Sequence, residues 1–368
     1  MTMAPEFSIV IPYYALASTI DFVKRQLTYY HFNSTPMAVI LAVTGDTKVI
    51  AELESFIQNL ADDRFKMLTT VEVKSEITNW ESFLSRISAT LKTVGTTYVI
   101  INGADDVIIP EAAIEGTEIL SNNLDVAAVK GYTICFDCDS GKILALKDSE
   151  LLDNSPVMRL KDVLKDRDSI FYIIRRTKDL STEYDNILNL LKKSPTVRNS
   201  PYHIEHFIAL CVASLGKVRV FNYPWRLATG HKNNHSSHTE GSFLRVEHGV
   251  LDKANYEWFK SVNPNMRDLS YNYYRFLWEL HQVRGISVTL KQIAYHFLYK
   301  NSGFINSARI STYFVLHKLF IIFKRLFSSQ VDFLNVKDNF FKPEHYSSLK
   351  KYYFSEHDIK LIESKVWG

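Results

Sequence analysis

The sequence predicts an α/β protein: a Rossmann-like, mainly parallel sheet flanked by helices, followed by a mostly helical, aromatic-rich C-terminal region. Three observations carry this. Strand and helix signals alternate through the first 130 residues, and most strand signals are short apolar runs closed by Pro, Gly or Asp. Beyond about residue 250 the pattern gives way to long stretches of helical spacing crowded with Phe and Tyr. Alternation favours a parallel sheet, because consecutive parallel strands need a crossover and a helix supplies it compactly. Residues 1–250 are read as the α/β domain and 251–368 as the C-terminal helical region.

The elements follow in order. "FSIVIPYY" is a buried strand reaching a loop near Pro12, and "STIDFVKRQLTYY" is a helix with Ser18 or Thr19 as its N-cap. "MAVILAV" is the second strand, stopped by "TGD". "TKVIAELESFIQNLA" is helical, "FKMLTTVEV" extended, and "NWESFLSRISATLKTV" a helix starting at Asn79. "TYVIING" is the fourth strand and runs directly into "GADDVIIPEA". "PEAAIEGTEILSNN" places Pro110 in the first turn of a helix, where its missing N–H costs nothing, and "DVAAVKGYTICF" is the next strand. Residues 139–170 are polar and irregular and read as a loop. "SIFYIIRRT" is a further strand. "HIEHFIALCVASLGKVRVF" is a helix closed by Gly216 and followed by a short strand, and "ATGHKNNHSSHTEGS" is a polar loop.

Composition narrows the function classes. The chain has 368 residues, is 46% hydrophobic and carries a formal net charge of +3. That is a folded protein with too slight a basic excess for nucleic-acid binding, which needs a concentrated cationic face. Three cysteines, Cys135, Cys138 and Cys211, make no disulfide framework and suit a reducing compartment. "CFDC" has metal-ligand spacing, but no second pair completes a tetrahedral site. "MTMAPE" leads into a strand without a basic and then an apolar region, so no signal peptide is expected. No uncharged run approaches the ~20 residues that cross a bilayer.

The chemistry concentrates at Asp105 and Asp106. Two adjacent carboxylates at a strand end repel unless a positive charge sits between or above them. In open α/β sheets ligands bind beyond the carboxyl ends of the strands. "TGD" and "GADD" both lie at such ends, so they should converge on one crevice; a solvated turn is the bland alternative.

Four pieces, "FSIVIPYY", "GADDVIIPEA", "AAVKGYTICF" and "HIEHFIALCVASLGK", occur in this order over about residues 7 to 230. Together they resemble the inverting, GT-A-fold glycosyltransferases related to family 2, especially bacterial enzymes of surface-polysaccharide synthesis (lipopolysaccharide or capsule). The resemblance implies a sugar moved from a nucleotide-diphosphate donor to a glycan or lipid-linked glycan acceptor. "GADD" stands in place of the DXD motif. It implies Mg²⁺ or Mn²⁺ on the diphosphate, with Asp106 as direct ligand and Asp105 on metal or sugar. Ala104 stands where the first Asp of that motif would be, which leaves open metal-independent transfer from a nucleoside-monophosphate sugar.

The resemblance further implies that Glu205 is the general base that deprotonates the acceptor, with His206 as the alternative. A helix-dipole or capping role is the plain reading of Glu205. Pro12, Tyr13 and Tyr14 would seat the nucleotide, with core packing as the competing role. Thr44 and Asp46 would contact the nucleoside. In "RLATGHKNNHSSH", Arg226 would meet the diphosphate and His231 would be a last metal ligand, with His235 and His238 in the same stretch. Arg175 and Arg176 are further candidates for diphosphate contact.

The C-terminal third adds "ARISTYFVLHKLFIIFKRLFSS". As a helix, its broad apolar face and basic stripe, His317, Lys318, Lys324 and Arg325, suit the headgroup layer of an anionic membrane. They also suit a helix buried on the catalytic domain or a second subunit. The expected partners are thus a nucleotide-sugar donor, a glycan or lipid-linked acceptor, and peripheral membrane contact through 309–329, with homo-oligomerisation open. The expected location is the cytoplasm, with placement at the inner face of the cytoplasmic membrane left open. A catalytically lapsed GT-A-like binding protein is the non-enzyme rival.

Overall fold

The computed structural model describes residues 6–69, 80–146, 150–156, 158–159, 172–193, 208–209, 211–230 and 333–367. The elements are β1 (Phe7–Ala15), α1 (Ile20–His31), β2 (Met37–Gly45), α2 (Thr47–Leu60), β3 (Phe65–Thr69), α3 (Trp80–Leu91), β4 (Tyr98–Ile101), β5 (Val107–Ile108) and α4 (Pro110–Asn122). They continue with β6 (Val126–Asp137), β7 (Ile143–Leu146), β8 (Ile174–Arg176), α5 (Thr177–Lys193), β9 (Lys217–Gly230), β10 (Phe333–Leu334), α6 (Pro343–Tyr352) and α7 (Glu356–Val366).

The ten strands of the described residues form one sheet whose main path is β10-β7-β6-β8-β4-β1-β2-β3. The Rossmann-like part is parallel, β4 and β2 flanking β1 and β3 flanking β2. Its strands are near-continuous apolar runs because helices cover both faces. Phe7, Ile9, Ile11, Tyr13 and Ala15 of β1 all belong to the core, as do Val23, Leu27 and Tyr30 of α1, which recur at helical spacing. The expected fold class, a largely parallel sheet with flanking helices and a helical C-terminal part, is present.

Beyond β4 the sheet departs from simple alternation. β8 enters antiparallel between β4 and β6. β6 gives one edge to β8 near its start and to β7 further on, and its other edge, along most of its length, to β9. The expected short strand after Gly216 is therefore 14 residues long. Pro224 is accommodated because the β6–β9 register shifts around Tyr132, a place where a missing N–H is tolerated. Gly131 makes that approach feasible: a Cβ there would come within 2.7 Å of the Tyr223 carbonyl. The segment 139–170, expected to be a loop, contains β7, which pairs antiparallel with β6. The helix α5 was not anticipated, although Leu180, Tyr184, Ile187 and Leu188 mark its buried stripe.

The described C-terminal segment docks on the α/β sheet. β10 extends the sheet by pairing with β7. Phe341, Tyr346, Leu349, Tyr353, Phe354, Ile362 and Val366 share one core with the strands of the α/β sheet. Phe32 stacks on Tyr352 at 4.4 Å, and Phe136 of β6 meets Phe354 edge-on. The expected boundary near residue 250 and the helix expected over 309–329 lie outside the described residues. No helix among the described residues is long and apolar enough to cross a membrane.

Candidate functional site

The parallel strands β4, β1 and β2 are neighbours, so their carboxyl ends share one edge of the sheet. β4 stops first: the Asn102 N–H still donates to the Val10 carbonyl at 2.9 Å, and the chain then turns through Gly103 to Asp106. Two amides pin the turn. Asn102 Nδ2 donates to the Asp106 carbonyl at 2.9 Å, and Gln26 Nε2 of α1 donates to the Gly103 carbonyl at 3.2 Å and to the Asp106 carbonyl. The chain leaves as β5, whose Ile108 N–H donates to the Tyr30 hydroxyl. β5 pairs antiparallel with β9, Val107 opposite Leu227 and Ile108 opposite Arg226.

That pairing brings a cation to the acids. Arg226 Nη2 donates to Asp106 Oδ2 at 2.5 Å, and the Thr229 N–H donates to Asp106 Oδ1 at 3.0 Å. The Tyr172 ring lies with its centroid 3.5 Å from the guanidinium carbon, a favourable cation–π placement. Burial pushes the Asp106 carboxyl up, while Arg226 pulls it down, Asp105 adds to the push, and the Thr229 N–H again opposes it. For Arg226 the sum is clear: burial works against the charge, but Asp106 outweighs it and the guanidinium stays protonated.

Gly103 lets both acids fold over the turn. A Cβ there would lie 2.8 Å from Asp106 Oδ2 and 3.2 Å from Asp105 Oδ1. The repulsion anticipated between the two carboxylates is thus met, on the Asp106 side, by Arg226.

The other candidates divide cleanly. Tyr14 of β1 and Thr44 of β2 are cross-strand partners near the same edge. Pro12 and Tyr14 are half-buried on one face of β1, whereas Tyr13 points into the core. The Tyr13 hydroxyl donates to the Leu16 carbonyl at 2.9 Å and accepts the Leu16 N–H, closing the turn after β1. Thr44 is fully buried. Asp46 is exposed at the end of β2, where its carboxylate caps α2 by accepting the Lys48 N–H at 2.8 Å.

Arg175 and Arg176 are taken elsewhere. β8 runs antiparallel to β4 with Arg176 opposite Tyr98, which puts both arginines near the amino end of β4. Arg175 is sealed in an ion pair with Glu183, and Arg176 donates to the carbonyls of Leu120, Asn123 and Val126. Their expected diphosphate role is corrected: strand direction carries them away from the acid turn. Glu205, His206, His231, His235 and His238 lie outside the described residues. The helix expected to carry Glu205 is present at residues 211–215 and ends at Gly216.

Four contributors escaped sequence reading: Gln26, Asn102, Thr229 and Tyr353. Gln26 is buried on the inner face of α1, beside Val23, Leu27 and Tyr30. A glutamine within an apolar stripe is the one signal that pointed here. The Tyr353 hydroxyl, which follows α6, donates to the Asp105 carbonyl at 2.9 Å and pairs with Thr229 Oγ1 at 3.0 Å. Nothing local announces a partner 248 residues away.

The expected Mg²⁺ or Mn²⁺ is not matched by these residues alone. No group of three or more His, Cys, Asp or Glu among the described residues is arranged to hold a metal ion. Both Asp106 carboxylate oxygens already accept hydrogen bonds from protein donors.

No protein-family model matches the chain, and no curated protein matches it. Solved structures do align. The first 349 residues of S. aureus TarS in complex with UDP-GlcNAc give a TM-score of 0.46 at 13% identity, over 78% of this chain and 79% of that one. The same TarS fragment without ligand gives 0.45 at 13%, over 78% and 76%. The mannosyltransferase PcManGT from Pyrobaculum calidifontis, in complex with GDP-Man and Mn²⁺, gives 0.39 at 10%, over 89% of each chain.

Proposed function

We propose that this chain is a GT-A-type, inverting glycosyltransferase that moves a sugar from a nucleotide-diphosphate donor to a glycan or lipid-linked glycan acceptor in bacterial surface-polysaccharide synthesis. One observation carries the reading: adjacent acids at the carboxyl end of β4 are met by an arginine from β9, on the edge shared with Tyr14, Thr44 and Asp46. This edge is where open α/β sheets bind ligands. The first piece of the resemblance forms β1 and the second forms the acid turn, on adjacent parallel strands.

The chemistry assigns each residue a task. An acceptor hydroxyl attacks the anomeric carbon from the face opposite the diphosphate, the bond from that carbon to phosphate oxygen breaks, and the hydroxyl proton passes to Glu205. The leaving diphosphate gains negative charge, which the Arg226 guanidinium offsets; a fixed cation in a partly buried site does this without reorganisation. Asp106 and Tyr172 hold Arg226 in place. Asp105 contacts the sugar, and Asp46 with Tyr14 contacts the nucleoside. The segment 309–329 contacts the membrane where a lipid-linked acceptor is presented.

The test is a thermal-shift screen of UDP-, GDP-, dTDP- and CMP-sugars with Mn²⁺ and with EDTA. One nucleoside-diphosphate class should raise the melting temperature and keep that shift in EDTA. If no nucleotide sugar stabilises the protein, the proposal falls. A second reading is favoured by the convergence of Asp105 Oδ1 and Asp106 Oδ2 above Gly103: these two oxygens would hold Mg²⁺ or Mn²⁺ if Arg226 gave way. A shift lost in EDTA selects it. Glu205→Gln should cut turnover at least 100-fold; a near-normal rate would move the base to His206. Unchanged biological output in both Glu205→Gln and Asp106→Ala would instead indicate a lapsed binding protein.

A further inference from the structure

We infer that Tyr353 is a positioning residue for the donor site, its hydroxyl locking the acid turn to the end of β9 and so making the C-terminal segment part of the site. The inference rests on reading the Asp105–Asp106 turn as the donor site. Its basis is a closed circuit of hydrogen bonds. A phenol has one proton, and Tyr353 spends it on the Asp105 carbonyl. Thr229 Oγ1 must therefore donate into the phenol oxygen, since the two are 3.0 Å apart. The same Thr229 presents its N–H to Asp106 Oδ1. One hydroxyl thus joins the backbone of the first acid to the residue that holds the carboxylate of the second.

The circuit is sheltered and anchored. Tyr353 is buried, and burial keeps its phenol well above the ordinary tyrosine value, so it remains a neutral donor and acceptor. Arg25 of α1 donates to the Tyr353 carbonyl and to Asp358, and its guanidinium lies over the Tyr353 ring. Ser355 and Asp358 cap α7 reciprocally just beyond, which fixes the chain on that side. Phe354 is seated against Phe136 of β6. The hydroxyl therefore meets Asp105 from a frame that is itself rigid.

Removing only the hydroxyl isolates the role. Tyr353→Phe keeps the ring in the core but leaves the Asp105 carbonyl without its phenol donor and frees the Thr229 hydroxyl. The matched control is Tyr346→Phe. Tyr346 belongs to the same segment and core, and its hydroxyl has no hydrogen-bond partner among the described residues. Hydrogen exchange followed by mass spectrometry should show amides of the 102–109 peptide exchanging at least tenfold faster in Tyr353→Phe and unchanged in Tyr346→Phe. With the donor found by the thermal-shift screen, Tyr353→Phe should lower kcat at least tenfold while donor KM moves less than threefold. Thr229→Val, which keeps the backbone donor to Asp106, should reproduce the effect, and the double variant should be no worse than either single one.

Exchange in Tyr353→Phe that matches Tyr346→Phe overturns the inference whatever the kinetics show, as does a kcat in Tyr353→Phe no lower than that in Tyr346→Phe. Wild-type protein stabilised by none of the nucleotide sugars overturns the donor reading instead, and the exchange result still decides the coupling.

Discussion

Two buried acid–arginine pairs lie at opposite ends of the sheet, and they differ in every respect that bears on function. Arg175 and Glu183 are 8 residues apart, joined through β8 and α5, with side chains 1% and 3% exposed. Arg226 and Asp106 are 120 residues apart, brought together by the β5–β9 pairing, with side chains 11% and 7% exposed. The first pair is sealed and local. The second sits at a strand end beside another acid, under an aromatic ring and next to a turn that three distant segments, α1, β9 and the chain after α6, hold in place. A sealed pair has nothing to exchange its partner for; a rim pair can meet a ligand. Equal chemistry therefore reads as architecture in one place and as a site in the other.

Breaking the sealed pair should give the largest effect. Glu183→Gln leaves the Arg175 charge buried without compensation, and such losses run to about 3–5 kcal/mol. Chemical denaturation should show this, while the surviving folded fraction binds the donor as wild type does. The apolar double replacement Arg175→Met with Glu183→Leu should recover most of the loss. At the rim the balance should invert. Arg226→Gln should destabilise by about 1–3 kcal/mol, as for a lost charged hydrogen bond, and should weaken donor binding at least tenfold by calorimetry. A stability loss as large as that of Glu183→Gln with unaltered donor binding would erase the distinction.

Smaller effects sharpen the boundary of the site. Asp46→Ser preserves an N-cap, so stability should hold within about 0.5 kcal/mol, while donor KM should rise several-fold through loss of the nucleoside contact. An unchanged KM would leave Asp46 as a cap alone. The smallest effect concerns acid sensitivity far from the site. Burial would raise the Asp62 carboxyl, but hydrogen bonds from Arg64 and His31 prevail and hold it below the ordinary value. A carboxyl depressed in the folded state stabilises above its unfolded pKa and loses that contribution as pH falls through the folded one. Wild-type stability should therefore decline more steeply than that of Asp62→Asn below about pH 4, as followed by denaturation midpoints.

The same contrast explains what the sequence disclosed. β1, β2, β4 and β6 were legible because apolar runs bounded by Pro, Gly or Asp are what doubly covered strands look like. β5 and β10 are two residues long and carry no periodicity, and β9 looked short because Pro224 interrupts it. Asp105 and Asp106 stood out because adjacent acids at a strand end conflict with electrostatics. Arg226 was a candidate by its place in "RLATGH", but its bond to Asp106 depends on a strand register that no local pattern encodes. Arg175 and Arg176 misled for the opposite reason: "FYIIRR" reveals a strand, not its direction. Tyr13 and Tyr14 could be separated only once the alternation along β1 was known.

The bond between Tyr353 and Asp105 spans 248 residues. At about 5–20 residues per second of synthesis, tens of seconds separate the emergence of the two partners from the ribosome. Through that interval the nascent chain exposes the apolar surface that β10, α6 and α7 later cover. Long-range closure of this kind slows folding, so the acids adopt their final posture only after Tyr353 has been synthesised, and a chain terminated before it carries the motif without the grip on it.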